Sequence, residues 1–463
     1  MSKKDEIIQS TQETLEGSSI HAIPNITRNK FVTIKLLWLF CFLGSFGVCA
    51  WFIYQSVLDY LNYDVVTKFD IKYEDSLSFP IVTICNLNYF STPFAFEFSK
   101  RLFNKTNPRT DETITAKMVS NYYIKTKQSD SKMIGNDIDQ IILSCEFSSQ
   151  QCNLTNDFDE YFDPWYGRCY RYNSGTNMLG QQVKKKSVYQ SGTLAALDLE
   201  LFIGSAASND RPFSVENGLN IFIQNEQLDS IMNEGIRISP GTSTTIALKK
   251  YQIGRKPKPY SNCTADLTSI DSYDSVFYKK VFSPNSTYSY TKCNFVCIQK
   301  LIGNECKCQA SLYENTYYPS MRLCSIPGSN LTNLDLLRDQ MCLSGIANKY
   351  FNTPSEERDC DCPLECVSNG YDHIISTAEF PTFNFYQNFL EKNMVIKSKL
   401  STVNFDQVKQ SVARLQIYFN EMKQTYIEEN EKLSMSDLIS GIGGTLGLFL
   451  GNFIYLNKYT TEK

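Results

Sequence analysis

The sequence predicts an α+β membrane protein in which two transmembrane helices flank one large, disulfide-rich extracellular domain with a β-sheet core and peripheral helices. Three observations predict it. Two uncharged apolar stretches, 36–58 and 438–457, lie near the two ends of the 463-residue chain. Fourteen of the sixteen cysteines fall between them, and the sequence there alternates short β-branched and aromatic runs with polar turns.

The first stretch supplies 23 residues without a charge, where about 20 are needed to cross a bilayer core as an α-helix. It outruns the ~7–15-residue apolar region of a secretory signal and has no clear small-residue cleavage site. Arg28, Lys30 and Lys35 precede it, and Asp59, Asp64 and Asp70 follow. The positive-inside bias therefore places 1–35 in the cytoplasm, 59–437 outside and a short tail, 458–463, back in the cytoplasm.

The second stretch carries Gly441, Gly443, Gly444, Gly447 and Gly451. Each glycine costs about 0.8–1 kcal/mol against alanine in a helix in water. In a membrane, small residues at this spacing either let helices approach closely or leave backbone facing an aqueous path. A glycosylphosphatidylinositol signal is the weakest of the three readings, because Lys458, Glu462 and Lys463 follow the apolar run.

Cys85, Cys145, Cys152, Cys169, Cys263, Cys293, Cys297, Cys306, Cys308, Cys324, Cys342, Cys360, Cys362 and Cys366 form an even set in an oxidising compartment, as a disulfide framework requires. The CxC and CxxxC spacings also fit zinc, but His21 and His373 are the only histidines and the compartment favours bridges over thiolates. Cys41 and Cys49, within the first stretch, read as small apolar packing residues. The outside segment offers glycosylation acceptors at Asn104, Asn153, Asn262, Asn285 and Asn330. A net charge of −4, with no basic patch or recognition module, argues against nucleic acid. No G-x-S-x-G, H-E-x-x-H or P-loop is present, so the sequence shows no enzyme and implies no cofactor or metal.

Within the outside segment, LSFPIVTI, LNIFIQNE and STTIALKKYQI read as strands. Phe405 to Glu428 places Val408, Val412, Leu415, Phe419 and Met422 at three- and four-residue steps, which predicts an amphipathic helix. Asn104 to Ser131 and Leu323 to Asp359 read as long loops.

Four segments in order, FPIVTICNLNYF (79–90), YGRCYRYNSG (166–175), the cysteine series 263–366 and GIGGTLGLFLG (441–451), resemble the epithelial sodium channel/degenerin family across nearly the whole chain. Within it the chain looks most like the cnidarian, hydra-type peptide-gated sodium channels, then the acid-sensing channels. The resemblance implies a trimer whose second helices line a sodium-permeable pore. It also implies bridges joining Cys85 to Cys169, Cys145 to Cys152, Cys263 to Cys366, Cys293 to Cys362, Cys297 to Cys360, Cys306 to Cys342 and Cys308 to Cys324.

Further positions carry over from the same resemblance. An aromatic pair that couples ectodomain to membrane falls on Tyr63 and Tyr260; two interfacial tyrosines are the plainer alternative. The intracellular His-Gly pair that controls opening matches His21 and Ala22. The pore and filter fall on Gly443, Gly444, Gly447, Gly451, Asn452 and Phe453, so a phenylalanine stands where the family has the serine hydroxyl. That ring supplies no oxygen to replace hydration water, and few residues follow it. The histidine pair of acid-sensing relatives is replaced by Asp64 and Val65. Of the carboxylate pair that follows, only Asp70 is kept, with Ile71 in the other place. Without an imidazole near pH ~6.5, proton sensing loses its simplest switch.

The expected function is thus a subunit of a ligand-gated, sodium-permeable, amiloride-sensitive channel at the plasma membrane, opened by an extracellular RFamide-like neuropeptide. Its partners are sister subunits in a homo- or heterotrimer, sodium ions and the lipid bilayer. Alternatives are a non-conducting or modulatory truncated subunit, a proton-gated channel, and a membrane-anchored receptor or adhesion ectodomain.

Overall fold

The computed structural model describes residues 22–88, 135–204, 216–225, 235–282, 288–310, 320–324, 333–354, 360–393 and 403–451, with a few single residues between them. The chain divides into two compact units. One comprises Met1–Lys68, Lys256–Ser261 and Glu429–Lys463; the other comprises Phe69–Arg255 and Asn262–Glu428.

The first unit holds the short helix α1 (Ala22–Arg28) and the 30-residue α2 (Val32–Leu61). Among the described residues, α2 is the one helix long and apolar enough to cross a membrane. It contains the whole of the predicted stretch 36–58. The unit ends in α10 (Met435–Leu446), which passes into a five-residue π-helix, Gly447–Gly451. Residues 452–457 of the second predicted stretch lie outside the described residues.

The second unit is built on two large sheets and two two-stranded ones, the first and last strands continuing past its bounds at residues 69 and 428. In chain order its strands are β1 (Val65–Tyr73), β2 (Leu77–Ser78), β3 (Ile81–Asn86), β4 (Ile142–Phe147), β5 (Gln150–Gln151), β6 (Phe158–Asp163), β7 (Gly167–Tyr172), β8 (Ser187–Val188), β9 (Leu197–Phe202), β10 (Leu219–Gln224), β11 (Ile236–Ile238), β12 (Thr242–Gly254), β13 (Cys263–Thr264), β14 (Leu364–Glu365), β15 (Val367–Glu379) and β16 (Val412–Glu431). The helices between them are α3 (Ile138–Ile141), α4 (Leu154–Asp157), α5 (Val276–Val281), α6 (Tyr290–Cys306), α7 (Asn333–Asn352), α8 (Phe383–Lys392) and α9 (Phe405–Lys409). The larger sheet runs β15-β12-β16-β9-β4-β5, with β1 alongside β16; the smaller runs β11-β10-β3-β7-β6. One apolar core is shared by both sheets, from Val82, Ile84 and Tyr170 of the smaller to Leu199, Ile246, Leu415 and Phe419 of the larger. β3 is buried along its whole length, as its near-continuous apolar run requires of a central strand.

All three segments read as strands are strands: β2 with β3, β10 and β12. Two other expectations are corrected. Phe405–Glu428 is not one helix, for only α9 is helical and the chain then runs extended as β16 for 20 residues. Ala413, Leu415, Ile417 and Phe419 are buried in strict alternation, while Arg414, Gln416 and Tyr418 between them are half-exposed. Leu415 and Phe419 fit a period of two as well as one of 3.6, and β-branched and aromatic neighbours decide for the strand. Leu323–Asp359 is not one loop either, since it contains α7. There Cys342, Ile346 and Tyr350 recur at four-residue steps against α6. The predicted loop Asn104–Ser131 lies outside the described residues.

The bridges fix how the second unit's parts meet. Cys85 and Cys169 face each other in the β3–β7 register and are bonded, and Cys145–Cys152 closes the β4–β5 hairpin. Cys263–Cys366 ties β13 to the residue after β14. Cys293 and Cys297 lie one turn apart on α6 and bond Cys362 and Cys360, while Cys306 reaches Cys342 of α7 and Cys308 bonds Cys324. The pairs are the ones the family resemblance implies. All fourteen thiols are bridged; Cys41 is exposed and Cys49 buried.

Candidate functional site

In the first unit, α2 and the α10 segment pack along each other. Ser45 Oγ donates to the Phe449 carbonyl at 2.8 Å, and the rings of Phe52 and Phe449 stack 5.8 Å apart. α10 starts in a capping box: Ser434 Oγ accepts from Asp437 N at 3.1 Å, and the Asp437 carboxylate accepts from Ser434 N at 3.1 Å. The Ser434 hydroxyl also donates to Asp437 Oδ2 at 2.6 Å, and this bond, with the one from Ser434 N, holds the Asp437 pKa below the ordinary carboxylate value. An ideal Cβ placed at Gly441, Gly443, Gly444 or Gly447 meets no atom within 4 Å. Packing on α2 therefore does not require these glycines. The π-helix falls on the last of them, and such π segments recur at functional sites.

Where the two helices meet extended chain, a small polar and aromatic cluster forms. α2 stops at Asn62, and Tyr63 follows with φ 52°, a left-handed backbone usually given to glycine. That turn brings the Tyr63 ring edge-on to Tyr260, with centroids 5.5 Å apart and planes at 84°. Tyr260 sits on Lys256–Ser261, the one piece of the middle of the chain that belongs to this unit. Its hydroxyl donates to Glu431 Oε2 at 2.9 Å, and that bond raises its pKa. Lys256 N donates to Glu429 Oε2 at 3.1 Å. Beside them Lys432 pairs with Asp64 twice, backbone N to O at 3.0 Å and Nζ to Oδ2 at 2.9 Å. The contact with Asp64 raises the Lys432 pKa. The exit of α2, the 256–261 loop and the strand feeding α10 are thereby tied together within about ten residues of each helix end.

The other predicted positions separate from this cluster. Asp70 stands on β1 with its carboxylate 3.8 Å from Lys72 Nζ. Ala22 is buried and opens α1 in helical conformation, which alanine adopts freely. His21, Asn452 and Phe453 lie outside the described residues, as do Asn104, Asn285 and Asn330. Of the glycosylation acceptors described, Asn153 is exposed but caps α4 through its side-chain oxygen, and exposed Asn262 accepts from the Tyr273 hydroxyl at 2.9 Å. The sequence reading named the two tyrosines and missed the charges around them, Glu429, Glu431 and the Asp64–Lys432 pair. In the sequence Asp64 enters as a flanking charge and as the replacement of a histidine, and no motif marks Glu429, Glu431 or Lys432.

The class these features define is a membrane protein: a disulfide-bridged β-rich unit, and a second unit with an apolar helix long enough to cross a bilayer. A family model for the amiloride-sensitive sodium channel matches residues 14–452, and the chain belongs to this family of ion channels, not enzymes, which assemble from several subunits at the plasma membrane and pass sodium. It is 23% identical to the human bile acid-sensitive ion channel over 94% of this chain and 81% of that protein. It is 24% identical to chicken acid-sensing ion channel 1, over 96% and 81% respectively, and 24% identical to human acid-sensing ion channel 2, over 94% and 82%. Among solved structures, a cryo-EM structure of a proton-activated chloride channel aligns over 91% of this chain with 8% identity and a TM-score of 0.34, a likeness too slight to bear on the fold.

Proposed function

We propose that the chain is a pore-forming subunit of a trimeric, ligand-gated, sodium-permeable channel, with 59–437 outside the cell, 438–457 lining the pore, and both termini in the cytoplasm. The observation that carries this reading is the α10 segment, where a Cβ at Gly441, Gly443, Gly444 or Gly447 would meet no neighbouring element among the described residues although each glycine weakens a helix. Glycines kept at that cost, and not explained by α2, fit a helix that meets its copies or water around an axis. The Tyr63–Tyr260 cluster is the proposed coupling site, and Gly451, Asn452 and Phe453 are the proposed filter.

The opening ligand in this reading is an extracellular amidated peptide. A ligand gates only if it binds the open state better than the closed one. The experiment is two-electrode current from cells expressing this chain alone and with related subunits, challenged in turn with an RFamide-type peptide, acid and a bile acid, then with amiloride. Amiloride-sensitive current that needs this chain and follows the peptide supports the whole reading; current under acid or bile acid alone replaces the peptide and keeps the pore. Surface protein that passes no current alone but alters a partner's current favours the modulatory subunit that Phe453 suggests.

A further inference from the structure

Ser45, Cys49 and Phe52 follow one another on α2 at four- and three-residue steps and so share one stripe of that helix. The α10 segment lies against this stripe at two levels. Cys49 is 2% exposed, and its Sγ is 4.0 Å from the Thr445 carbonyl. One turn further on, the Phe449 carbonyl accepts from Ser45 Oγ at 2.8 Å while the Phe449 ring stacks on Phe52. The first contact falls on α10 itself, the second inside the π-helix Gly447–Gly451.

The direction of the Ser45 hydroxyl sets it apart from its neighbours. Ser56 of α2 and Thr445 of α10 each donate to the carbonyl four residues back in their own helix, Phe52 O at 2.9 Å and Gly441 O at 2.8 Å. That is the common use of a hydroxyl within a helix. Ser45 reaches across instead. A carbonyl that receives a bond from a neighbouring helix depends less on the bond along its own, and serine side chains make irregular turns tolerable in lipid in this way. The turn has a consequence for register. Its bonds span five residues where those of an α-helix span four. A single residue of offset in a helix is a rotation of about 100°, which decides which side chains of the following turn face an axis.

We propose that Ser45 is a positioning residue for the pore segment: its hydroxyl, with Phe52 beneath the Phe449 ring, holds the π turn and thereby sets which of the proposed filter residues Gly451, Asn452 and Phe453 is presented to water. The inference rests on the pore reading above and names the residue of the first helix that controls it. Ser45 touches no ion; it acts through the backbone of Phe449.

The test uses the full-length protein in lipid nanodiscs, with Cys41→Ser and Cys49→Ala as background and one new thiol at a time from Gly451→Cys, Asn452→Cys or Phe453→Cys. The rate of modification by a cationic methanethiosulfonate reagent is read by mass spectrometry, with Ser45 kept, with Ser45→Thr and with Ser45→Val. One position should react faster than its neighbours when Ser45 is present. Ser45→Thr keeps the hydroxyl and should keep that order. Ser45→Val has the same shape without the hydroxyl and should shift the ratio of rates toward the adjacent position about fivefold, which is what an interhelical bond of this kind is worth in a membrane. If Ser45→Val lowers the thermal midpoint, Ser45→Ala takes its place. An unchanged order without the hydroxyl overturns the proposal, and so does an equal shift in Ser45→Thr, which would assign the effect to volume. Equally slow modification at all three positions in every background removes the aqueous pore itself, a failure that is read without any current and is distinct from the other two.

Discussion

Tyr63 holds a backbone conformation that costs an L-residue roughly 1–2 kcal/mol, and what it gains is a ring placed against Tyr260. At a second residue the environment works against the charge. Glu200, on β9, is half-buried, and desolvation raises its pKa although Arg414 and Asn393 pull the other way. The folded state therefore holds that proton more tightly than the unfolded chain does. Stability from this group is fully present below the ordinary carboxylate value of ~4.3 and is lost as pH rises through the folded one. Glu200→Gln should accordingly raise the thermal midpoint at pH 7.5, with the difference closing below about pH 4. A lower midpoint at pH 7.5 would mean that the pairing with Arg414 outweighs burial. Nothing in the local sequence, L-D-L-E-L, marks Glu200 as different from Asp198. The distinction arises because Asp198 takes the Arg414 guanidinium, Nε to Oδ1 at 2.9 Å, and that partner comes from 216 residues away.

Elements were legible where one period or one chemistry dominated, and not where two coincided. α2 follows from 23 uncharged residues, and β3, β10 and β12 from β-branched runs. β16 was hidden because Leu415 and Phe419 satisfy both helical and strand periods, and its partners β9 and β12 are distant in sequence. α7 was hidden by the cysteine pattern around it, although its apolar face is helical. The α10 segment presents the opposite case, glycines visible in the sequence whose purpose the single chain does not supply. In water, alanine at Gly443 would favour the helix by about 1 kcal/mol, and inside this chain there is room for its methyl group. If the stripe faces sister helices or the pore, Gly443→Ala and Gly447→Ala should leave surface expression intact and change unitary conductance or open probability several-fold. Wild-type currents from both variants would assign the glycines to lipid-facing positions and withdraw the pore reading of this face.

At the scale of the molecule, the chain passes between its two compact units four times, after residues 68, 255, 261 and 428. The sequence reading placed 59–437 in one outer domain. Of that segment, 59–68, 256–261 and 429–437 belong to the compact unit that holds the apolar helices. The excursion at 256–261 is brief, and both its ends are anchored. Arg255 N donates to Cys366 O on one side, and Cys263 is bonded to Cys366 on the other. The loop's attachments within its own unit are Tyr260 to Tyr63 and Glu431, and Lys256 to Glu429. Loss of the aromatic contact should uncouple binding from opening without touching either. Tyr63→Ala and Tyr260→Ala are each expected to retain ligand binding and surface expression while reducing the evoked current about tenfold or more. The double variant should be little worse than either single one, because two residues in one contact are not additive. Tyr260→Phe separates the ring from its hydroxyl: it keeps the edge-on contact and loses the bond to Glu431, so near-normal current would assign coupling to the rings. Losses that add in full in the double variant would show two independent interfacial tyrosines, and the junction would then be an anchor in the membrane interface and not a transmission point.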